Sequence, residues 1–385
     1  MGSGGQCHSE GIEDYLRLTH ADGVGPILFG RLVQQFGSVE NALQTSVSEM
    51  MRVEGIGHAT AEKIARSRLS YDVSKEIGLA DKHGVTLIHW NDVRYPAALK
   101  SVYDPPPVLY VRGTLDRSDA LSVAIVGSRR CSAYGSEQAS RFAHLLASSG
   151  FTIVSGLARG IDTAAHRGAL SAKGRTLAVQ GCGLATVFPS ENAKLAQMIA
   201  ESGAVVSELP MEYEPLSENF PARNRIIAAL SLGTLVVEAP HNSGSLLTAR
   251  AALEYDRDVM AIPGKIDSPL SGGCHKLIKE GARLVDSLDD ILDTLGCVGQ
   301  GLKEHVADAA VQAEQKARAT LFDMTRITLS AVEKAILDSF DGDPLHTEQV
   351  IAKSGLTAGQ VHASMISLQL KGLIKQLPGG LYLRR

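Results

Sequence analysis

Aromatic side chains are scarce in this 385-residue sequence: eight phenylalanines, nine tyrosines and one tryptophan, Trp90, together 5% of the chain. So few rings argue against an extended surface on which successive nucleobases stack. A cationic excess is missing too. Lysine and arginine number 38 against 42 aspartates and glutamates, for a net charge of −4, so any attraction to nucleic acid must come from a local basic patch. Cysteine is limited to Cys7, Cys131, Cys182, Cys274 and Cys297, an odd number with no C-x-x-C pair. This argues against a disulfide framework and against zinc, and reads as reduced thiols in a cytoplasmic protein. No apolar run approaches the roughly 20 residues of a membrane span, and no signal peptide is expected. The G-x-G-x-x-G fingerprint of dinucleotide-binding sheets is absent as well.

What is present centres on residues 121–158. Residues 121–126 form a short β-branched apolar run, which reads as a buried strand. Gly127-Ser128-Arg129 ends it, and a helical pattern with Phe142, Leu145 and Leu146 on one face begins near Tyr134. Residues 151–154 give a second strand closed by Ser155-Gly156. A strand, a small-residue turn and a helix start aim backbone N–H groups and a helix dipole at one point, which suits a phosphate.

Strands and helices continue to alternate to about residue 295. The expected fold is therefore α/β, a doubly wound, mostly parallel Rossmann-like sheet. Before it, Gly23-Val24-Gly25 and Gly55-Ile56-Gly57 each lead into an amphipathic helix, as in half of a helix-hairpin-helix of the SAM-like kind. Their glycines would let backbone amides approach a DNA phosphate. The same turns serve equally in a bundle that only packs, and their poverty in lysine and arginine weighs toward that use. After the sheet, residues 330–340, 347–354 and 358–371 read as three helices, followed by a hairpin turned at Pro378-Gly379-Gly380, the winged-helix pattern. Its third helix offers Gln360, His362, Ser364 and Ser367 but no cation before Lys371, which favours protein contact or spacing over major-groove reading. The expected boundaries are a helical domain at 1–72, a connecting collar at 73–118, the Rossmann-like domain at 119–296, a linker at 297–325 and a winged helix at 326–385.

Ligands of doubly wound sheets sit at the carboxyl ends of the strands. Those ends gather Gly127, Ser128 and Arg129; Ser155, Gly156, Arg159, Gly160 and Asp162; Glu208; Ser243, Gly244 and Ser245; and Lys265, with Phe220, Arg223, Asn224 and Arg225 between them. Nearly every turn supplies a small residue for close backbone approach or a cation, with Glu208 and Asp162 as exceptions. Asp162 is expected to cap the helix carrying Ala164 and Ala165. His166, without a serine or cysteine partner, is expected to pack.

The same stretches carry a resemblance. Gly127-Ser128-Arg129, S-G-L-A-R-G-I-D-T-A-A-H (155–166), F-P-A-R-N-R-I-I-A (220–228), S-G-S-L-L-T-A (243–249), A-I-P-G (261–264) and G-G-C-H-K-L-I (272–278) resemble the bacterial DNA-processing protein A family (DprA, also called Smf) over almost the whole chain. The resemblance implies a single-stranded DNA-binding protein that protects incoming DNA in natural transformation, loads the RecA recombinase and acts as a dimer, with no cofactor or metal. It places Gly127, Ser128 and Arg129 at one phosphate, Ser155, Gly156 and Arg159 beside it and Arg175 along the same pocket. Phe220, with Arg223, would offer the stacking surface.

Two other classes compete. Nucleotide phosphoribohydrolases of the lysine-decarboxylase-like group have a similar sheet and carry a P-G-G-x-G-T-x-E-E loop, whose carboxylates suit glycosidic cleavage. Here Leu247 and Thr248 stand where the two acids would be. A non-catalytic adaptor working through the winged helix would not need the basic pocket.

Overall fold

The computed structural model describes residues 8–296, 329–340, 344–370, 373–377 and 381–384. The chain divides into two units, Met1–Val306 and Ala307–Arg385. The first begins with six helices, α1 (Ile12–Thr19), α2 (Pro26–Phe36), α3 (Val39–Gln44), α4 (Val47–Met50), α5 (His58–Ser67) and α6 (Val73–Lys82). Of these, α2 and α5 start directly after Gly25 and Gly57, as the pattern predicts. Pro26 occupies the first position of α2, where its missing N–H costs nothing, and Ser46 and Glu49 cap α4 reciprocally.

Nine strands then form one sheet: β1 (Thr86–His89), β2 (Val108–Gly113), β3 (Ser122–Val126), β4 (Thr152–Ser155), β5 (Thr176–Val179), β6 (Ala204–Ser207), β7 (Gly233–Val236), β8 (Asp258–Ala261) and β9 (Arg283–Leu284). Their order is β1-β2-β6-β5-β4-β3-β7-β8-β9. All neighbours from β6 to β9 are parallel, and β1, β2 and β6 pair antiparallel. Alternation along β3 shows why both faces are covered. Val123 and Ile125 pack with Phe142 and Leu146 of α8 (Ala133–Ser148) and Ile161 of α9 (Ile161–Ser171). Ala124 and Val126 pack with Ile226 and Ile227 of α11 (Asn219–Leu230) and Ala249 of α12 (Ser245–Glu254). Between these lie α7 (Ala97–Lys100) and α10 (Ala193–Ser202), and α13 (Gly272–Lys279) and α14 (Leu288–Thr294) follow. The doubly wound sheet is as expected.

Residues 73–118 are a correction. Expected as a collar joining the helical domain to the sheet, with short strands at 85–88 and 108–111, they place those strands, as β1 and β2, in the sheet itself as its antiparallel edge, with Tyr110 opposite Ser207 and Leu87 opposite Tyr110. Their reason is burial on both faces. Val108 and Tyr110 face a core shared with Leu16, Leu32 and Ile64 of the helical layer and Val205 of β6, while Leu109 and Val111 face the opposite layer. The N-terminal helices and this edge of the sheet therefore share a core.

The second unit has helices Ala331–Asp338, Thr347–Ser354 and Ala358–Leu370 and a three-stranded antiparallel sheet, ordered Leu345–His346, Leu381–Arg384, Ile374–Leu377. This is a winged helix around Ile336, Val350, Val361, Met365 and Leu368. Ser367, expected on the reading face of the third helix, is half-buried and donates to the buried Glu333 carboxylate at 2.7 Å. The expected linker, the hairpin turn at 378–380 and Lys371 lie outside the described residues. No helix among the described residues is long and apolar enough to cross a membrane.

Candidate nucleic-acid interface

From β3 the chain moves through β4 and β5 to β6 and then returns to β7 on the other side of β3. That reversal opens a crevice at the carboxyl ends of β3 and β7. A cleft of about 690 Å³ lies there, lined by Gly127, Ser128, Arg129, Arg130, Phe220, Arg223, Asn224, Ser243, Gly244 and Ser245. The loops that wall it are clasped backbone to backbone. Ser128 donates its N–H to the Glu238 carbonyl at 2.7 Å, and the Ser128 carbonyl accepts from Ile161 at 3.2 Å. Gly160 permits this clasp: its φ is +74°, and a Cβ there would stand 2.3 Å from the Ser128 carbonyl oxygen. Asn224 donates its side-chain amide to the Gly244 carbonyl at 3.2 Å and so ties α11 to the loop before α12.

The cations sort into three kinds. Arg129 and Arg130 are exposed at the mouth, and neither forms an ion pair among the described residues. The Arg129 guanidinium lies 4.9 Å from the centroid of the Phe220 ring. Arg159 is also exposed but binds Glu191 through two hydrogen bonds of 2.8 and 2.7 Å. Arg223 is only 4% exposed. Its Nη1 donates to the carbonyls of Gly156, at 2.6 Å, and Val179, and the guanidinium carbon stands 5.9 Å from the Phe220 ring. Burial lowers its pKa to about 10, which leaves it charged at neutral pH.

Several expected members are elsewhere. Arg175 precedes β5 and therefore sits at the amino end of the sheet, where it grips both oxygens of Asp119 at 2.8 and 2.9 Å and the carbonyls of Thr114 and Ser202. Arg225 points away from the cleft into a half-buried cluster with Glu208 and Asp104. The Ser155 hydroxyl is buried and donates to the Ile125 carbonyl at 2.7 Å. Lys265 is exposed on the loop after β8 and does not line the cleft. Asp162 does not cap α9. Its carboxylate closes the preceding loop instead, accepting from the backbone N–H groups of Gly156 and Ala158 at 3.1 and 3.3 Å. Burial pushes its pKa up, against the neighbouring Arg223 charge.

The largest departure concerns the start of α8, where the strand–turn–helix pattern suggests a phosphate. A carboxylate of the protein itself occupies that place. Glu238, 4% exposed, accepts from the N–H and hydroxyl of the capping residue Ser132 at 2.8 and 2.6 Å. It also lies so close to Gly135 that a Cβ there would stand 2.3 Å from its Oε2. The α8 dipole is thus answered from within. Glu238 follows an apolar strand and joins a residue 106 positions earlier, so only a long-range signal could have revealed it. Arg130 and Phe188 are further site neighbours that the motifs do not single out. Phe188 shares a cavity of about 70 Å³ with Arg129, Arg159 and Phe220.

His166 packs, as expected. It is fully buried, and its Nδ1 lies 2.7 Å from the Thr176 hydroxyl. That hydroxyl already donates to the Ile153 carbonyl, so Nδ1 carries the proton and Nε2 has no partner. Burial lowers the pKa of His166 to about 3 and that of His20 to about 4. Both imidazoles stay neutral in the folded state at a pH where the unfolded chain is already protonated. The unfolded state therefore gains protons first, and stability falls as pH drops from about 6.5 toward 4. The loss from His20 alone is on the order of 2–3 kcal/mol. Urea midpoints at pH 7 and 4.5 measure it; His166→Leu should flatten the decline, and an unchanged wild-type midpoint would show that neither imidazole is held neutral.

Comparison with known proteins places the chain. Residues 86–296 match the family described as DNA recombination-mediator protein A. Protein Smf of Synechocystis is 37% identical over 390 residues, which cover 96% of this chain and 98% of that protein. The chain belongs to the DprA/Smf family. Its residues 322–380 match the DprA winged helix domain, and residues 15–67 match the SAM-like helix-hairpin-helix tandem. DNA processing protein DprA of Streptococcus pneumoniae is 48% identical over 198 residues, 51% of this chain and 70% of that one. A solved structure of DNA processing protein A from the same organism superposes with a TM-score of 0.64 at 36% identity, covering 73% of this chain and 97% of its own.

Proposed function

We propose that this DprA/Smf protein binds single-stranded DNA, protects incoming strands and loads the RecA recombinase onto them in natural transformation or recombination. In this reading it acts as a homodimer in the cytoplasm and is not an enzyme. The observation that carries the reading is the mouth of the switch-point cleft, where Arg129 and Arg130 are exposed and free of ion pairs among the described residues beside an aromatic ring. Guanidinium groups and small-residue turns engage phosphates without regard to sequence, and a ring serves any unpaired base. Gly127, Ser128, Asn224 and the Ser243–Gly244–Ser245 turn line the same space as backbone and hydroxyl partners. Relatives named for DNA processing and recombination mediation support the polymer as ligand.

The absence of catalysis belongs to the same proposal. Asp162 is the single carboxylate among the described residues that line the cleft, and two backbone N–H groups already hold it. Thr248 is buried in the wall and Leu247 exposed outside it, so neither supplies the acid that glycosidic cleavage needs.

Fluorescence anisotropy with single-stranded and duplex oligonucleotides of matched length, across one salt series, tests the reading. Micromolar or tighter binding to the single strand, with little sequence preference and weaker binding to duplex, is expected. Equal affinity for both forms would sink it.

A further inference from the structure

We propose that Phe188 is the open face of a base-stacking platform, on which an unpaired nucleobase of a single strand lies between the phosphate contacts of Arg129 and Arg159. The inference rests on the single-stranded DNA reading and assigns the base contact to a different residue. Phe220 is the aromatic that the motifs single out, yet its ring is largely enclosed. Arg129 covers it at 4.9 Å and Arg223 at 5.9 Å, and a Cβ at Gly181 would stand 3.0 Å from its Cδ1. Phe188 packs beside it, with centroids 5.4 Å apart and planes tilted by 38°, and remains 40% exposed.

That exposure is held in place by the fold. The loop carrying Phe188 is tied at one end by Gln180, whose side-chain amide donates to the Gly183 and Thr186 carbonyls at 3.1 and 2.8 Å. At the other end, Asn192 donates to the Leu157 carbonyl and the Thr163 hydroxyl, both at 2.9 Å. An apolar ring fixed toward solvent and bordered by two guanidinium groups suits a flat, apolar-faced ligand with flanking negative charge. The cavity between the rings, about 70 Å³, is too small to enclose a base, so the base must lie on the open ring. A base inside a duplex is stacked on both faces and cannot reach it. The Arg159–Glu191 pair is exposed on both sides, and such pairs hold weakly enough to yield to a phosphate.

The test uses Phe188→Trp in the full chain. The native Trp90 serves as a constant background, because it packs edge-on against Phe29 in the helical layer. Oligothymidylate should quench the new emission, and a strand of equal length without bases should not. Phe188→Ala should weaken oligothymidylate binding about tenfold, leave the abasic strand within twofold, and be rescued by Phe188→Tyr. Absence of quenching on oligothymidylate binding, or an equal loss for both strands, would overturn the proposal and mark the exposed ring as a protein contact or a fold element. If the wild-type chain binds neither strand, the single-stranded DNA reading fails first and takes this inference with it.

Discussion

Arg223→Ala is expected to lower folding stability by about 2–5 kcal/mol, a folding defect before it is a binding defect. The guanidinium is buried and bridges the ends of β4 and β5 through the carbonyls of Gly156 and Val179. Its removal strands two buried acceptors at roughly 1–3 kcal/mol each and takes away the positive charge that offsets the burial of Asp162. Room for it was made at residue 156, where a Cβ would stand 2.5 Å from Nη1. Urea denaturation measures the effect, and Arg223→Lys should recover only part of it because an ammonium cannot reproduce the planar fork. A loss below about 1 kcal/mol would mean that water enters and satisfies the carbonyls.

Arg129→Ala should do the reverse, leaving the denaturation midpoint in place while weakening single-stranded DNA binding about 10- to 100-fold. The side chain is exposed and joins no ion pair among the described residues, so folding has little stake in it. One charge-assisted phosphate bond is worth about 1.5–3 kcal/mol, and its loss should reduce the slope of log affinity against log salt by about 0.7. Arg129→Lys should restore the slope but not the whole affinity, since an ammonium does not lie flat on the Phe220 ring. An unchanged slope in Arg129→Ala would show that the phosphate path avoids this lip.

The comparison of these two arginines shows what the chain makes legible from residues alone. Alternating strands and helices with small-residue turns identify the parallel sheet and the ends that matter, because those turns follow each strand. Arg129 follows its strand and lies at the cleft; Arg175 precedes its strand, and only the family resemblance set it in the pocket. Arg223 and Arg225 share one polar stretch, N-F-P-A-R-N-R, on a helix whose rotation decides which faces the cleft. That rotation depends on packing against the sheet, which local pattern does not carry. The strands β1 and β2 are legible as short apolar runs at 85–88 and 108–111, but their place at the sheet edge is not: a run buried on both faces shows no alternation to say what it pairs with. Phe188 sits in a loop with no period at all.

Glu238 has a consequence for selectivity among the anions of a living cell. Nucleotide coenzymes are abundant there, and sheets of this type ordinarily seat their phosphates at the helix start that follows the first parallel strand. Here that seat is filled by a tethered carboxylate whose effective concentration no diffusible metabolite can match. On the single-stranded DNA reading, competition from monomers is thereby reduced at the start of α8, and the remaining grip, at the rim of the cleft, rewards a ligand that can touch several places at once. A polymer does so; a free nucleotide does not.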